Sequence, residues 1–549
     1  MTLLVDLFGY LSVIIHGLTI LAQSMALGGL LFLILLARPL ARDIPAGGDI
    51  VRSTARIAGW SAVALVASEA ATIALQGSAL VDTVGLPWSN VLAADFAVAG
   101  AVKGAAAAAL AVCLLLRGPA SAPILLMLGG IELGAATLTT HAAARMDNSG
   151  PLLAVEALHQ LGAAIWIGGI PFFVMALGRA HEPRAWRRVA ARFSRMSMAG
   201  VACILASGSI MSVLYIGSWD ALYGTAFGVM VIAKLALFGA LLLLGFGNFL
   251  VTKRLRRDPA APVLRMKRFA EVEIGIGISI FFAAASLTSV PPGIDLKQDR
   301  VTWAAIVERN TPVWPRLTSP AHHSLALPQL QAMLDAETAA RARSTAPAAS
   351  IPGSGELPPR NADDVAWSEY NHHWAGLFVL LVGGLALLNQ AGVRWARHWP
   401  LLLLGLAAFL LIRSDPEVWP MGYVPFFAAF RDVEVLQHRM FVLLIVVFAV
   451  FEWGVRVGRI RSRRAALVFP LLTAAGGALL LTHSHAIANV KDQLLIELTH
   501  TPLALAGITA GWARWLELRL DGRGARAAAW VWPICFLVCG LVLLTYREA

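Results

Sequence analysis

The chain has 549 residues, 58% of them hydrophobic and only 14% charged, with a formal net charge of +11 and apolar runs of about 20 residues along most of its length. In lipid only helices or closed barrels satisfy the backbone internally, and these runs are too long and too continuous for the short alternating strands of an outer-membrane barrel. The composition therefore excludes a soluble globular domain and predicts an all-α, polytopic membrane helical bundle with internal repeats.

Fourteen membrane helices are predicted, near 8–37, 55–79, 91–116, 121–144, 152–178, 193–216, 222–251, 268–290, 371–391, 397–413, 436–456, 465–482, 493–516 and 527–546. Alternate connections, such as Arg179 to Arg195 and Lys253 to Arg268, hold 29 of the 44 Lys and Arg residues. The positive-inside rule makes those connections cytoplasmic and puts both termini on the outer side of the membrane. Basicity is then a topology signal, and nucleic acid is not an expected partner; membrane lipid is. Met1 to Tyr10 lacks a basic n-region, so the first apolar run reads as a retained helix. Cys113, Cys203, Cys535 and Cys539 all fall inside predicted helices without a Cys-x-x-Cys pair, which predicts neither a disulfide framework nor a zinc ribbon.

Residues 291–370, rich in Pro, Ala and Ser, form a linker or periplasmic loop, with one short surface helix expected over Ala321 to Arg343. They divide an eight-helix membrane domain at 1–290 from a six-helix domain at 371–549. The first half also reads as duplicated: Gly28-Gly29 matches Gly168-Gly169, Ala67-Ser68 matches Ala206-Ser207, Gly77-Ser78 matches Gly217-Ser218, and Phe96-x6-Lys103 matches Phe227-x6-Lys234.

A second echo links the two halves. Thr139-Thr140-His141 followed by Glu156-x-x-His159 reappears as Leu481-Thr482-His483 followed by Glu497-x-x-His500, in each case an apolar segment ending on His and the next opening with Glu and His one helical turn apart. Eleven of the 13 histidines fall on the outer side. At about 1.5 Å of rise per residue, His16 and His159 both lie on the order of 10 Å below the outer surface, with His141 at the mouth above them. These three imidazoles form a candidate metal site, with Glu156, Met146 and Met25 as additional ligands; imidazole suits copper, zinc, nickel or haem iron, and thioether sulfur tilts the choice toward Cu(I). In the second half His372, His373, His438, His483, His485 and His500 again lie near the outer leaflet, where a second copper site or a pair of rings holding haem b would fit. His322-His323 in the loop read as a solvated pair or a point of metal capture. Glu69, Lys103, Glu132 and Lys234 are charged residues deeper in the bilayer, either paired within the bundle or lining an ion path. Without His-Glu-x-x-His, a Walker loop or a nucleophile elbow, the chain does not read as an enzyme.

His159-Gln-Leu-Gly-Ala-Ala-Ile-Trp-Ile-Gly-Gly169, a basic loop, then Thr225-Ala-Phe-Gly228 and Lys234 resemble the CopD/PcoD copper-resistance proteins of bacterial inner membranes. The resemblance covers roughly residues 1–290; the six helices after 370 lie outside it. It implies copper handling at the periplasmic face, as import or delivery together with soluble periplasmic copper carriers. It points to His159 as ligand, to Trp166, Gly168 and Gly169 as close-packing residues, and to Lys234 in the later helix. Two alternatives remain open: a haem-bearing membrane electron carrier in the second half, and a copper-insertion factor for a cuproenzyme.

Overall fold

The computed structural model describes residues 7–116, 121–140, 149–258, 261–297, 300–325, 362–482 and 490–548. Each of the fourteen expected helices is present: α1 Phe8–Ala41, α2 Gly47–Val84, α3 Asp95–Leu115, α4 Ala122–Thr137, α5 Gly150–Arg179, α6 Pro183–Ile216, α7 Ala226–Arg257, α8 Leu264–Leu287, α9 Ala362–Gln390, α10 Arg394–Arg413, α11 Val433–Arg456, α12 Ala465–Leu480, α13 Val490–Arg519 and α14 Gly522–Leu544. Eleven are long and apolar enough to cross a membrane. Among the described residues the only β pairing is an isolated bridge between Val418 and Val424.

The chain divides into two compact units, one of residues 11–218 and 234–295, the other of residues 1–10, 219–233 and 296–549. In the first unit small residues let backbones meet, as expected where lipid supplies no hydrophobic drive between helices. A Cβ placed on Gly28 of α1 would come to 2.6 Å from the Gly168 carbonyl carbon of α5, and one on Gly162 of α5 to 2.9 Å from the Gly200 oxygen of α6. Helix α5 breaks at this contact. The Gly168 N–H reaches back five residues to Ala163 O at 3.0 Å, and the helix restarts at Ile170 with Pro171 in its first turn. Proline is tolerated there because its missing N–H would have no helical acceptor.

The internal repeat is visible in the order of elements. Helix α2 ends at Gly85 (φ 72°) and α6 at Gly217 (φ 74°), the left-handed cap that glycine adopts without a Cβ penalty. Each cap is followed by a six-residue helix opening on Trp, Trp88–Ala93 and Trp219–Gly224, and then by the lysine-bearing helix. The structure corrects one expected correspondence: Gly85, not Gly77, is the partner of Gly217. Gly77 lies inside α2, where a Cβ would meet the Trp88 ring at 2.5 Å. The repeat extends to the fourth helix of each copy, since Ala135-Ala136-Thr137 and the capping Leu138 of α4 match Ala284-Ala285-Ser286-Leu287 at the end of α8.

In the second unit α9 to α14 enclose an aromatic core in which Trp399 packs on Phe469 and on Trp532, with ring centroids 5.5 Å apart in both pairs. A buried ion network ties this core together: Glu452 accepts from Arg456 at 2.7 Å and from Arg514 at 3.0 Å, and Arg514 also pairs with Glu517 at 2.8 Å. The described part of the linker is anchored by the short helix Trp303–Arg309, whose Arg309 bonds Tyr546 and Glu548 near the end of the chain. Of the surface helix expected over 321–343, one turn at His322–Ser324 is described, and 326–343 lie outside the described residues.

Candidate functional site

His159 projects from α5 toward α6. Its Nδ1 lies 3.0 Å from Ser207 Oγ, and that hydroxyl donates its own hydrogen to the Cys203 carbonyl at 2.6 Å. With the hydroxyl hydrogen committed, Ser207 can only accept, so Nδ1 carries the imidazole proton and Nε2 presents a lone pair. A hydrogen bond on one ring nitrogen that fixes the tautomer and orients the other is how metal-binding histidines are held. Gly208 lies beside the ring, where a Cβ would make an ordinary contact with His159 Cε1 at 3.7 Å. Glu156, one turn earlier, accepts from Gln160 Nε2 at 3.0 Å, and Gln160 Oε1 accepts from Gln23 Nε2 of α1 at 2.9 Å. Lys234 of α7 is electrostatically coupled to both Glu156 and His159.

The Gln23–Gln160 contact sets α1 parallel to α5 at an offset of 137 residues. His16 then stands level with Leu153, six residues or about 9 Å along the axis from His159, so the two imidazoles share a helix contact without sharing a depth. His141 and Met146 lie outside the described residues. Trp166 meets the Phe238 ring of α7 edge-on at 5.7 Å, and Gly168 makes the α1 contact, as the motif led one to expect.

In the second unit His372 of α9 and His500 of α13 face each other with ring centroids 6.1 Å apart and planes at 84°. Two imidazoles bound linearly to one ion at about 2.0 Å each have ring centroids about 6 Å apart, against about 5 Å at a tetrahedral angle, so this pair has the span of a two-coordinate ligand set. His372 Nδ1 donates to Ser368 O at 2.9 Å, which leaves Nε2 as its lone-pair nitrogen. Tyr546 stacks on the same ring at 3.9 Å and donates to Glu548 at 2.9 Å; burial pushes its phenol well above the usual range, which keeps it a donor. His438 of α11 bonds Asp415 through Nδ1 at 2.7 Å, and Asp415 is shared with Arg439 at 3.5 Å.

His373 departs from expectation. Its Nδ1 accepts from the Arg316 N–H and its Nε2 donates to Tyr546 O, both at 2.7 Å, in a fully buried setting. With both nitrogens committed to backbone, His373 is a clasp between α9, the linker and the end of the chain, and not a metal ligand. His322 likewise spends Nε2 on Pro416 O at 2.7 Å. His483 and His485 lie outside the described residues, as does His141, and among the described residues no three His, Cys, Asp or Glu side chains group to hold a metal ion. The haem alternative gains no support there.

Three of the four deep charges are brought together. Lys103 and Glu69 form an ion pair at 2.5 Å with both side chains buried, and Glu132, fully buried, lies within electrostatic reach of the two. Ser207, Asp415 and Ser368, which aim the candidate imidazoles, were not foreseen as site residues. Only Ser207 carried a signal in the sequence, through its pairing with Ser68 in the repeat.

Helices α6 to α8, which supply Ser207 and Lys234, also carry a likeness to known proteins. Residues 187–287 match the CopD family, copper resistance protein D. The CopD segment starts 28 residues after His159, so it contains the serine that orients the ring and the lysine beside it, and not the ring itself. The chain is also 34% identical over 175 residues to the copper transport protein CutJ of Bacillus subtilis (strain 168), a stretch that makes up 31% of this chain and 30% of that protein. The chain thus matches somewhat under a third of the length of this curated relative. No solved structure matches the chain with significance.

Proposed function

We propose that the chain is a copper-handling protein of the bacterial inner membrane that accepts copper at the periplasmic face and imports it. In this reading both termini are periplasmic and soluble periplasmic copper carriers supply the ion. His159 takes copper on Nε2 in the first unit, and His372 with His500 does so in the second. The observation that carries the reading is the tautomer lock at His159, set by a serine inside the CopD segment. Further support comes from CutJ, a copper transport protein, and from imidazole donors that suit copper.

The test is copper stoichiometry and accumulation with the purified full chain in proteoliposomes. Copper binding that falls in His159→Ala, with time-dependent uptake into the lumen in the parent protein, is the expected result. Binding without accumulation would reassign the chain to copper delivery, and unchanged stoichiometry in His159→Ala would remove the first-unit site. A Soret band in the purified protein would return the second unit to haem.

A further inference from the structure

We infer that Glu132, together with the Glu69–Lys103 pair, forms a proton-exchange site inside the first unit, the counterpart in one repeat of the copper site in the other.

Three ionisable side chains from α2, α3 and α4 occupy one buried locus. Glu69 is 5% exposed, Lys103 3% and Glu132 0%. The lysine is committed to Glu69, and both carboxyl oxygens of Glu132 are buried without a hydrogen-bond partner among the described residues. The charged groups that face Glu132 are Lys103 and Glu69. From α1, Leu27 and Leu30 come against α4 at Gly129, and α5, also packed on α4, adds no charged neighbour among the described residues. One cation serving two carboxyls leaves room for one negative charge; the other carboxyl must carry a proton or bear the cost of an unpaired charge in an apolar interior. The exchange balances: a proton leaves the Glu132 carboxyl and one arrives on Glu69, while the Lys103 ammonium moves from the second to the first. Glu69 borders Gly100, where a Cβ would lie 3.0 Å from its Oε2, so the carboxylate sits directly on the lysine-bearing helix.

The repeat carries the inference independently. Lys103 and Lys234 each stand eight residues beyond the start of their helix, hence at equal depth. The offset of 140 that matches Gly28 to Gly168 places Thr19 opposite His159. Ser68-Glu69 stand opposite Ser207-Gly208, and the matching ends of α4 and α8 put Glu132 opposite Phe281. One copy sets His159, with Gly208 against the ring, near its lysine, and the other sets Glu69 and Glu132 near its own. The imidazole of one copy is thus replaced by two carboxyls in the other. Thr19 bonds back to Ile15 O at 2.9 Å and takes no part in the cluster.

The proton site stands on geometry alone, whereas its coupling to copper movement rests on the transport reading, so two measurements keep them apart. Infrared difference spectra of the full chain in lipid, recorded across a pH step, should show a buried carboxylic-acid carbonyl band. The band should vanish in Glu132→Gln, and persist with a shift in Glu132→Asp. The same band in both parent and Glu132→Gln overturns the site. In proteoliposomes loaded with a pH-sensitive dye, a gradient of one pH unit should change the equilibrium copper ratio about tenfold per proton coupled. That dependence should be lost in Glu132→Gln with copper bound per chain unchanged. Accumulation indifferent to the gradient in the parent protein overturns the coupling. Absence of accumulation, with the infrared band still lost in Glu132→Gln, removes the transport reading and leaves the proton site intact.

Discussion

Ser207→Ala separates a histidine that packs from one that is aimed. In the parent protein the Ser207 hydroxyl accepts from His159 Nδ1 at 3.0 Å and is itself turned by its bond to Cys203 O at 2.6 Å. Alanine removes the only acceptor shown for that N–H in an apolar helix contact, and leaving a buried donor unmade costs about 1–3 kcal/mol. Part of that cost is recovered if the ring turns or takes the other tautomer, and either response withdraws the Nε2 lone pair from its direction. Outer-shell substitutions of this kind lower metal affinity about 10- to 100-fold, which is about 1.4–2.8 kcal/mol, the same range. The assay is competitive titration of copper against a chelator of known affinity, with Ser207→Thr, which keeps the hydroxyl, as the rescue. Copper affinity within about twofold of the parent in Ser207→Ala, alongside a clear loss in His159→Ala, would refute the orienting role.

Gly168→Ala should destabilise the first unit by about 1–3 kcal/mol, because its new methyl meets the Ala164 oxygen at 2.7 Å and the α1 backbone opposite, while Gly245→Ala, with Trp166 at an ordinary 3.7 Å, should be near neutral; thermal unfolding followed by tryptophan fluorescence compares them. His372→Ala should reduce copper bound in the second unit, and His373→Ala should leave the metal content alone yet open residues 313–317 to proteolysis, as elemental analysis and limited digestion would show. Burial pushes the Glu417 carboxyl up to about 7, so the ordered 414–432 loop gains stability from the protonated form. That contribution is fully present below the ordinary carboxylate range and is lost as pH rises through about 7. Hydrogen exchange in the loop should therefore quicken over that interval, and Glu417→Gln should flatten the dependence.

The fourteen helices were legible in the sequence because an apolar run in lipid admits one backbone solution, and eleven of them are long and apolar enough to cross a membrane. The repeat was legible where it rests on identical residues, at Gly28 and Gly168 or Lys103 and Lys234. It was misread at Gly77, where a Gly-Ser pair matched by identity and the true equivalence lies in the shape of a helix cap at Gly85. Side-chain partners were far less legible. Helices apolar on every face give no stripe to show which side meets a neighbour, so His372 and His373 looked interchangeable until one ring was found facing His500 and the other fastened to backbone at both nitrogens. Glu69, Lys103 and Glu132 were recognisable as anomalies by their charge, yet their meeting across three helices depended on packing that no local pattern encodes.

The break in α5 has a mechanical consequence. The five-residue reach of the Gly168 amide splits one membrane span into two rods, with Glu156 and His159 on the first and Arg179 at the far tip of the second. An unbroken rod would pass any tilt of the imidazole straight to the basic loop on the opposite face. A jointed one leaves the ligand-bearing arm to be set by its own contacts with α1 and α6, and the joint and a close backbone contact with α1 are built from the same glycine.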